Sequence, residues 1–343
     1  MLRDARTGDW CVLAVWVRCW RYVYQAAPHL GAKLCNVGGV WRLFAPHLIL
    51  IFPATPPPSP THPRIGTFAG HKGAVWSARL NADATRAATG SADFTVKVWD
   101  AVGGGELATL EHGHVVKSVD FSADGARLAT GGGDKTLRVF ALERGGEPAT
   151  LSVSTPDRIR KVAWGADGET VFTGSDDGVV RAYDARVGGG RCVREAALGA
   201  GAVGDLEVSH DGSQLTIAAG REVLLLGAQG LDVLRRHTLG FAVSSASLRA
   251  SASGSAAGVG ASAGAGASAG GAGGRRIIAG GADMHVHLLD ADSGAELVCH
   301  KGHHGTVHCV RFAPDGETYV SGADDAIIRI WKYEGEKGGE ALS

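Results

Sequence analysis

The stretch from Gly70 to Asp100, GHKGAVWSARLNADATRAATGSADFTVKVWD, recurs along the chain. A fixed repeat period constrains a fold more tightly than composition can. His71 returns as His112 after 41 residues. The same place falls at Thr155 after 43 more and at Gly199 after another 44. The last clear copy begins at His303 and closes at Trp331. Each copy opens on an alternating apolar strand: VWSARL (75–80), VKSVDF (116–121), VHCVRF (307–312). A polar turn follows, as in NADAT (81–85), SADGA (122–126), GADGE (165–169), SHDGS (209–213) and APDGE (313–317), of the kind that suits a tight hairpin. A second strand ends in Thr-Gly or Ser-Gly. A short Asp-bearing turn then leads to a β-branched third strand: TVKVW (95–99), TLRVF (136–140), VVRAY (179–183), IIRIW (327–331).

Short strands at this even spacing predict an all-β fold, a β-propeller with one blade per repeat. Six units begin near residues 65, 106, 148, 192, 235 and 296. The fourth (198–228) and fifth (240–290) are degenerate. The fifth is interrupted by 250–274, almost wholly Ala, Ser and Gly, which cannot bury a core and is expected to be a disordered loop. It falls between the first and second strands of its unit, where closure cost grows slowly with length. The propeller spans 65–335, and 336–343 is expected to be a flexible tail. Residues 11–64 carry no blade pattern and end in Pro53, Pro56, Pro57, Pro58, Pro60 and Pro63, so they are expected to be an irregular insertion.

Charge narrows the partners. Residues 1–64 hold seven Lys/Arg against two Asp/Glu, a net of +5, while 65–343 hold 27 against 33, a net of −6. The repeats have no polybasic character, so duplex-DNA binding by bulk charge is not expected. Cys11, Cys19, Cys35, Cys192, Cys299 and Cys309 are scattered without a CxxC pair, which fits a reducing compartment. The apolar run Cys11–Tyr24 carries Arg18 and Arg21 and is too short and charged to span a membrane. Asp4 and Asp9 precede it, which is wrong for a signal peptide and unfavourable for a transit peptide.

Polar residues recur at fixed offsets: His near the start, Ser or Thr closing strand two, Asp in the next turn and Trp in strand three. His71, Thr89, Asp93 and Trp99 form one set, and His303, Ser321, Asp325 and Trp331 another. His112, Thr130 and Asp134 form a third with Phe140 in the Trp place. Thr173, Asp177 and Tyr183 remain in the third unit, with Thr155 in the His place. The expected arrangement is a buried chain. Asp accepts from one imidazole nitrogen, the other nitrogen meets the hydroxyl, and the hydroxyl accepts from the indole N–H. Loss of the indole at Phe140 leaves Thr130 its His partner. The same residue types could make a Ser/His/Asp hydrolase, but a triad has no reason to occur three times, and no G-x-S-x-G elbow is present. No catalytic residue and no cofactor site are therefore expected.

His300, His303, His304 and His308, flanked by Cys299 and Cys309, are a candidate metal cluster. Ligation needs three or four groups converging at about 2.0–2.3 Å. His303 is committed to its tetrad, so no metal site is expected. Glycine runs at 103–105, 131–133 and 188–190 lack the phosphate-loop pattern and read as turns. In a propeller, the turn before strand one and the turn between strands two and three line one face. Lys72, Trp76, His114, Lys117, Asp157, Lys161, Asp176, His304, His308 and Asp324 are the candidate partner contacts there. Trp76 leads, because exposed aromatics are enriched at binding hot spots.

The words TGDW (7–10), IGTFAGHKGAVWSARLNADATRAAT (65–89), ADFTVKVWDA (92–101), HVVKSVDF (114–121) and GHHGTVHCVRFAPDGETYVSGADD (302–325) carry a more specific resemblance. The chain resembles the serine-threonine kinase receptor-associated (unr-interacting) family of seven-bladed WD-repeat scaffolds over about 65–343, apart from 250–274. The resemblance implies a non-catalytic scaffold, cytoplasmic and nuclear. Its partners would be the survival-of-motor-neuron complex and the machinery of spliceosomal ribonucleoprotein assembly and mRNA splicing. RNA would be met indirectly, without membrane or duplex DNA. It also implies, in animals, association with receptor kinases. The alternative is the WD-repeat subunit of the translation-initiation factor three complex. In the family most of a further blade precedes TGDW, so 1–10 read as the remnant of a seventh blade, and an open ring would leave unpaired strand edges. The family also runs TGDW directly into IGTF, which marks 11–64 as a retained intron or misjoined gene model. Sequencing the mature transcript checks this: a spliced message lacking the codons for 11–64 is expected, and one encoding all of them would defeat the reading.

Overall fold

The computed structural model describes residues 68–144, 149–186, 190–249, 274–313 and 318–332, together with four short strands nearer the N-terminus. Five antiparallel four-stranded sheets and one of three strands follow one another in chain order. Blade one comprises Val75–Leu80, Arg86–Ser91, Thr95–Asp100 and Glu106–Glu111. Blade two comprises Val116–Phe121, Arg127–Gly132, Thr136–Ala141 and Leu151–Ser154. Blade three comprises Ile159–Trp164, Thr170–Ser175, Val179–Asp184 and Cys192–Ala197. Blade four runs Val203–Val208, Gln214–Ala219, Glu222–Gly227 and Val233–Thr238. Blade five runs Val243–Arg249, Arg276–Gly281, His285–Asp290 and Glu296–Lys301. Blade six has Val307–Phe312, Thr318–Ala323 and Ile328–Lys332 among the described residues.

The unit seen in the sequence and the blade seen in space are offset by one strand. The segments near 106, 192 and 296, at which units begin, form the outer strand of the preceding blade. Each repeat thus fastens two blades. Outside the blades, Leu2–Arg3 pairs with Trp10–Cys11, and Lys33–Val37 pairs with Val40–Phe44 inside the insertion. The rest of 1–67 lies outside the described residues, as do 250–273 and the tail 336–343. In blade five, Arg249 and Arg276 sit opposite each other at the two ends of the Ala/Ser/Gly segment. The segment therefore leaves from the strand ends remote from the Asp-bearing turn.

The second strand of each blade is buried along nearly its whole length, which explains its small residues. A Cβ on Gly90 would meet a Val116 methyl at 2.9 Å; one on Gly131 would meet Ile159 at 2.6 Å, on Gly174 Val203 at 2.4 Å, and on Gly280 Val307 at 2.6 Å. The Thr-Gly and Ser-Gly words thus mark where the next blade's first strand lands. Blade four departs from this. Ala218 takes the glycine place, and Leu215, Ile217, Leu224 and Leu226 fill its interior with hydrocarbon.

First strands are also sewn together by polar side chains. Ser77 Oγ accepts from Val119 N at 3.2 Å, Ser118 Oγ from Val162 N at 3.1 Å, and Ser245 Oγ from Val310 N at 3.2 Å. Asp120 accepts from Trp164 N at 2.9 Å. Between these lies a buried ionic group. Asp205 of blade four meets Lys161 of blade three at 3.3 Å, accepts from Ser245 of blade five at 2.5 Å, and pairs with Arg311 of blade six at 2.6 Å. Among the described residues, hydrogen bonds and ion pairs join the blades in series from one through to six.

Asp205 and Arg311 are both nearly without solvent contact. Removing one member of such a pair leaves a buried charge at a cost of about 3–5 kcal/mol, whereas replacing both by hydrocarbon is often neutral. Arg311→Met leaves Asp205 with Lys161 as its one remaining cation and is expected to destabilise the chain by less than that amount in urea unfolding, whereas Asp205→Leu, which strands buried Arg311, should cost the full amount.

Candidate functional site

Two hydrogen-bonded sets close in full. His71 Nδ1 lies 2.8 Å from Asp93 and Nε2 2.6 Å from Thr89 Oγ1, which accepts from Trp99 Nε1 at 2.9 Å. In blade six His303 lies 2.9 Å from Asp325 and 2.7 Å from Ser321, and Trp331 Nε1 donates to Ser321 at 2.8 Å. A carboxylate can only accept, so Nδ1 carries the proton and Nε2 accepts from the hydroxyl. Burial lowers the His71 and His303 pKa values against the opposing pull of Asp93 and Asp325. Burial would raise Asp93, but hydrogen bonds from Thr95 and His71 outweigh it and hold the carboxyl at about 2.

The third set does not close. His112 Nε2 keeps Thr130 at 2.8 Å, but Nδ1 turns to the Leu110 carbonyl at 3.1 Å. Asp134 is taken by Arg138 instead. In blade three Asp177 pairs with Arg181 at 2.8 Å, and Thr173 is buried without a hydrogen-bond partner among the described residues. Blade five has Leu239 in the His place, and Asp283 meets His287 at 2.6 Å. The competing residue always lies four positions after the turn Asp, on the neighbouring strand. Sequence reasoning missed it, although the signal is present as Asp93/Lys97, Asp134/Arg138, Asp177/Arg181, Asp283/His287 and Asp325/Arg329.

The histidines of 300–308 are dispersed, as distinct from a metal cluster. His303 is in its tetrad, while His300 bonds Tyr319 and stacks on Trp331 with ring centroids 4.5 Å apart. His308 faces Asp324 at 2.6 Å. The structure instead brings together His285, His287 and Cys299 in blade five. Cys192, Cys299 and Cys309 are free thiols.

The face lined by the turns before strand one and after strand two carries most of the candidate contacts. Trp76 is 41% exposed, with Lys117 Nζ 3.1 Å from its ring centroid. Burial against this ring and the nearby Arg160 charge lower the Lys117 pKa. His114 is exposed and packs on Phe94 with centroids 5.4 Å apart. Phe94, 45% exposed, was missed by the sequence reading; it stands at φ 68°, a conformation uncommon for a bulky residue. Lys72, His304, His308 and Asp324 are exposed. Asp157 pairs with Lys135, and Asp176 with Arg160. Lys161 corrects the expectation: it turns into the blade-to-blade ionic group with Asp205 and is not a free contact on this face. Two pairs, Trp76 with Lys117 and Phe94 with His114, thus bridge blades one and two.

These repeats and their tetrads define a WD-repeat β-propeller. The family model described as "WD domain, G-beta repeat" matches residues 63–100, 104–140, 148–184 and 294–332. Blade four and the first three strands of blade five, where the tetrad is erased or altered, fall between the matches. Serine-threonine kinase receptor-associated proteins of Gallus gallus and Homo sapiens are each 40% identical over 269 residues, covering 78% of this chain and 69% of theirs. That of Dictyostelium discoideum is 38% identical over 78% of this chain and 83% of its own. The chain belongs to the serine-threonine kinase receptor-associated protein family. Eukaryotic translation initiation factor 3 subunit I of Drosophila grimshawi is more distant, 27% identical over 79% of this chain and 84% of its own. No helix among the described residues is long and apolar enough to cross a membrane.

The buried imidazoles set a pH dependence. Burial, helped by the Arg138 charge, pushes His112 down to about 4; burial, helped by His287, does the same for His300. An unfolded imidazole takes up its proton near pH 6.5. Between about pH 6.5 and about pH 4 the unfolded chain therefore binds more protons than the folded one. Stability is complete above this window and is lost as pH falls through it. The thermal midpoint is expected to drop between about pH 7 and about pH 4.5, and to drop less steeply in His112→Gln.

Proposed function

We propose that the chain is a non-catalytic scaffold that holds proteins together in ribonucleoprotein assembly. The observation that carries the scaffold reading is two ring contacts on one face of the propeller, exposed Trp76 under half-buried Lys117 and exposed Phe94 against exposed His114. Aromatic rings presented at low conformational cost beside a cation are what binding hot spots are made of. The tetrads argue the same way. Their histidines are committed at both nitrogens, leaving no free base beside an accessible nucleophile.

Family membership supports the finer reading, a role with the survival-of-motor-neuron complex in small-ribonucleoprotein assembly and splicing, in cytoplasm and nucleus. A relative in Dictyostelium discoideum takes the family outside animals, and a role in RNA processing does not depend on an animal receptor. A receptor-kinase association, as the relatives' name indicates for them, is the second reading. Membership of the translation-initiation factor three complex is a third.

Affinity capture of the tagged chain, read by mass spectrometry, separates these. Recovery of ribonucleoprotein-assembly factors is expected; recovery of initiation-factor subunits in their place would overturn the proposal. Trp76→Ala is expected to cost about 2 kcal/mol of partner binding, the scale of a hot spot, and unchanged capture by that variant would remove Trp76 from the interface.

A further inference from the structure

The third and fourth strands of blade five carry side chains that no tetrad uses. His285 and His287 lie two residues apart on one face of their strand, and Cys299 is the cross-strand partner of His287. Their ligand atoms all lie within 4.8 Å of one another. Asp283, in the turn before them, places Oδ2 2.6 Å from His287 Nε2 and 3.5 Å from His285 Nδ1. Glu296 reaches His287 Nδ1 at 2.6 Å. Phe241 stacks on the His287 ring with centroids 4.6 Å apart and holds its plane.

Blade one supplies an internal comparison. Pairing register puts Thr95, Lys97 and Thr109 at the places of His285, His287 and Cys299, and Glu106 at the place of Glu296. There Lys97 bonds Glu106 and Thr109 at 2.7 Å each, an ordinary surface ion pair. Blade two has Thr136, Arg138 and Ser152 in the three places, and blade three Val179, Arg181 and Glu195. Only blade five, of these four, exchanges all three for strong ligands of a transition-metal ion.

The His287 ring faces a carboxylate at both nitrogens. A neutral imidazole has one N–H to offer, so a carboxylate at each nitrogen calls for positive charge at the ring, which a bound cation would supply. We propose that blade five holds a zinc-class divalent cation on His285, His287 Nε2 and Cys299 Sγ, with Asp283 as fourth ligand. Glu296 then accepts from His287 Nδ1–H and orients the ring, the usual second partner of a metal-bound histidine. Two imidazoles, one thiolate and one carboxylate suit tetrahedral zinc and disfavour the oxygen-seeking cations. Bonds of about 2.0–2.3 Å require the His285, His287 and Cys299 ligand atoms to close by about 1 Å and Asp283 to draw back from His287 Nε2 by somewhat less, which side-chain rotation on two paired strands can supply. The ion would clamp the outer strands of a blade that, besides lacking a tetrad histidine, is interrupted by the Ala/Ser/Gly segment.

Cobalt(II), titrated into the full chain after removal of metal, tests this. A one-to-one spectrum of a tetrahedral cobalt–thiolate centre is expected, displaced by zinc, with zinc also raising the thermal midpoint. Cys299→Ser should abolish the thiolate band, while Cys309→Ser leaves it intact. His285→Gln, at a half-exposed position, should weaken cobalt binding at least tenfold, and Glu296→Gln by about tenfold to a hundredfold. Absence of the spectrum in the full chain, or its survival in Cys299→Ser, would overturn the proposal.

Discussion

A blade of this propeller cannot bury its second strand alone. That strand is covered by the first strand of the following blade, whose valine or isoleucine lands where a Cβ would otherwise stand. The constraint fixes much else. It demands glycine at 90, 131, 174 and 280, and it makes the spacing of repeats regular. It also brings first strands close enough for Ser77, Ser118 and Ser245 to reach the next backbone. Where the packing line meets charge, Asp205 draws groups from blades three, five and six onto one buried carboxylate. Such a group contributes less through net energy than through the penalty for leaving any member unpaired.

Within each blade the interior is stiffened by different chemistry. Blades one and six use the full His, Ser/Thr, Asp and Trp chain. Blade two keeps half of it, since Arg138 outcompetes His112 for Asp134; a guanidinium brings a full charge where a neutral imidazole brings one N–H. Blade four has no polar chain at all and packs Leu215, Ile217, Leu224 and Leu226. Replacing a buried polar network by well-packed hydrocarbon need cost nothing in stability, so the fold survives where the motif does not.

That substitution also explains what the sequence makes legible. The first three strands of each repeat are readable because apolar alternation and the Asp-bearing turn bracket them. The outer strands are not: Glu106–Glu111 and Cys192–Ala197 are largely exposed and carry no alternation, so only register against the third strand reveals them. The tetrads of blades one and six are readable residue by residue. Asp134 is not, because its choice of Arg138 over His112 depends on distances across two strands. Lys161 looked like a surface residue until the packing of blade four placed Asp205 beside it. The histidines of 300–308 attracted notice by being close in sequence. His285, His287 and Cys299 converge only through strand pairing.

The candidate binding face is not independent of these interior networks. Asp93 accepts from His71 inside the blade and also from the backbone of Lys72 and from Thr95 at its rim. One carboxylate thereby ties the turn carrying Lys72 to the turn carrying Phe94. It also holds Phe94 in a left-handed conformation that a bulky side chain would otherwise leave. His114, against which Phe94 packs, sits on the entry turn of blade two, beyond His112 and its hold on Thr130. The rigidity of the face is thus inherited from the buried hydrogen-bond chains, and the aromatic contacts need no ordering when a partner arrives.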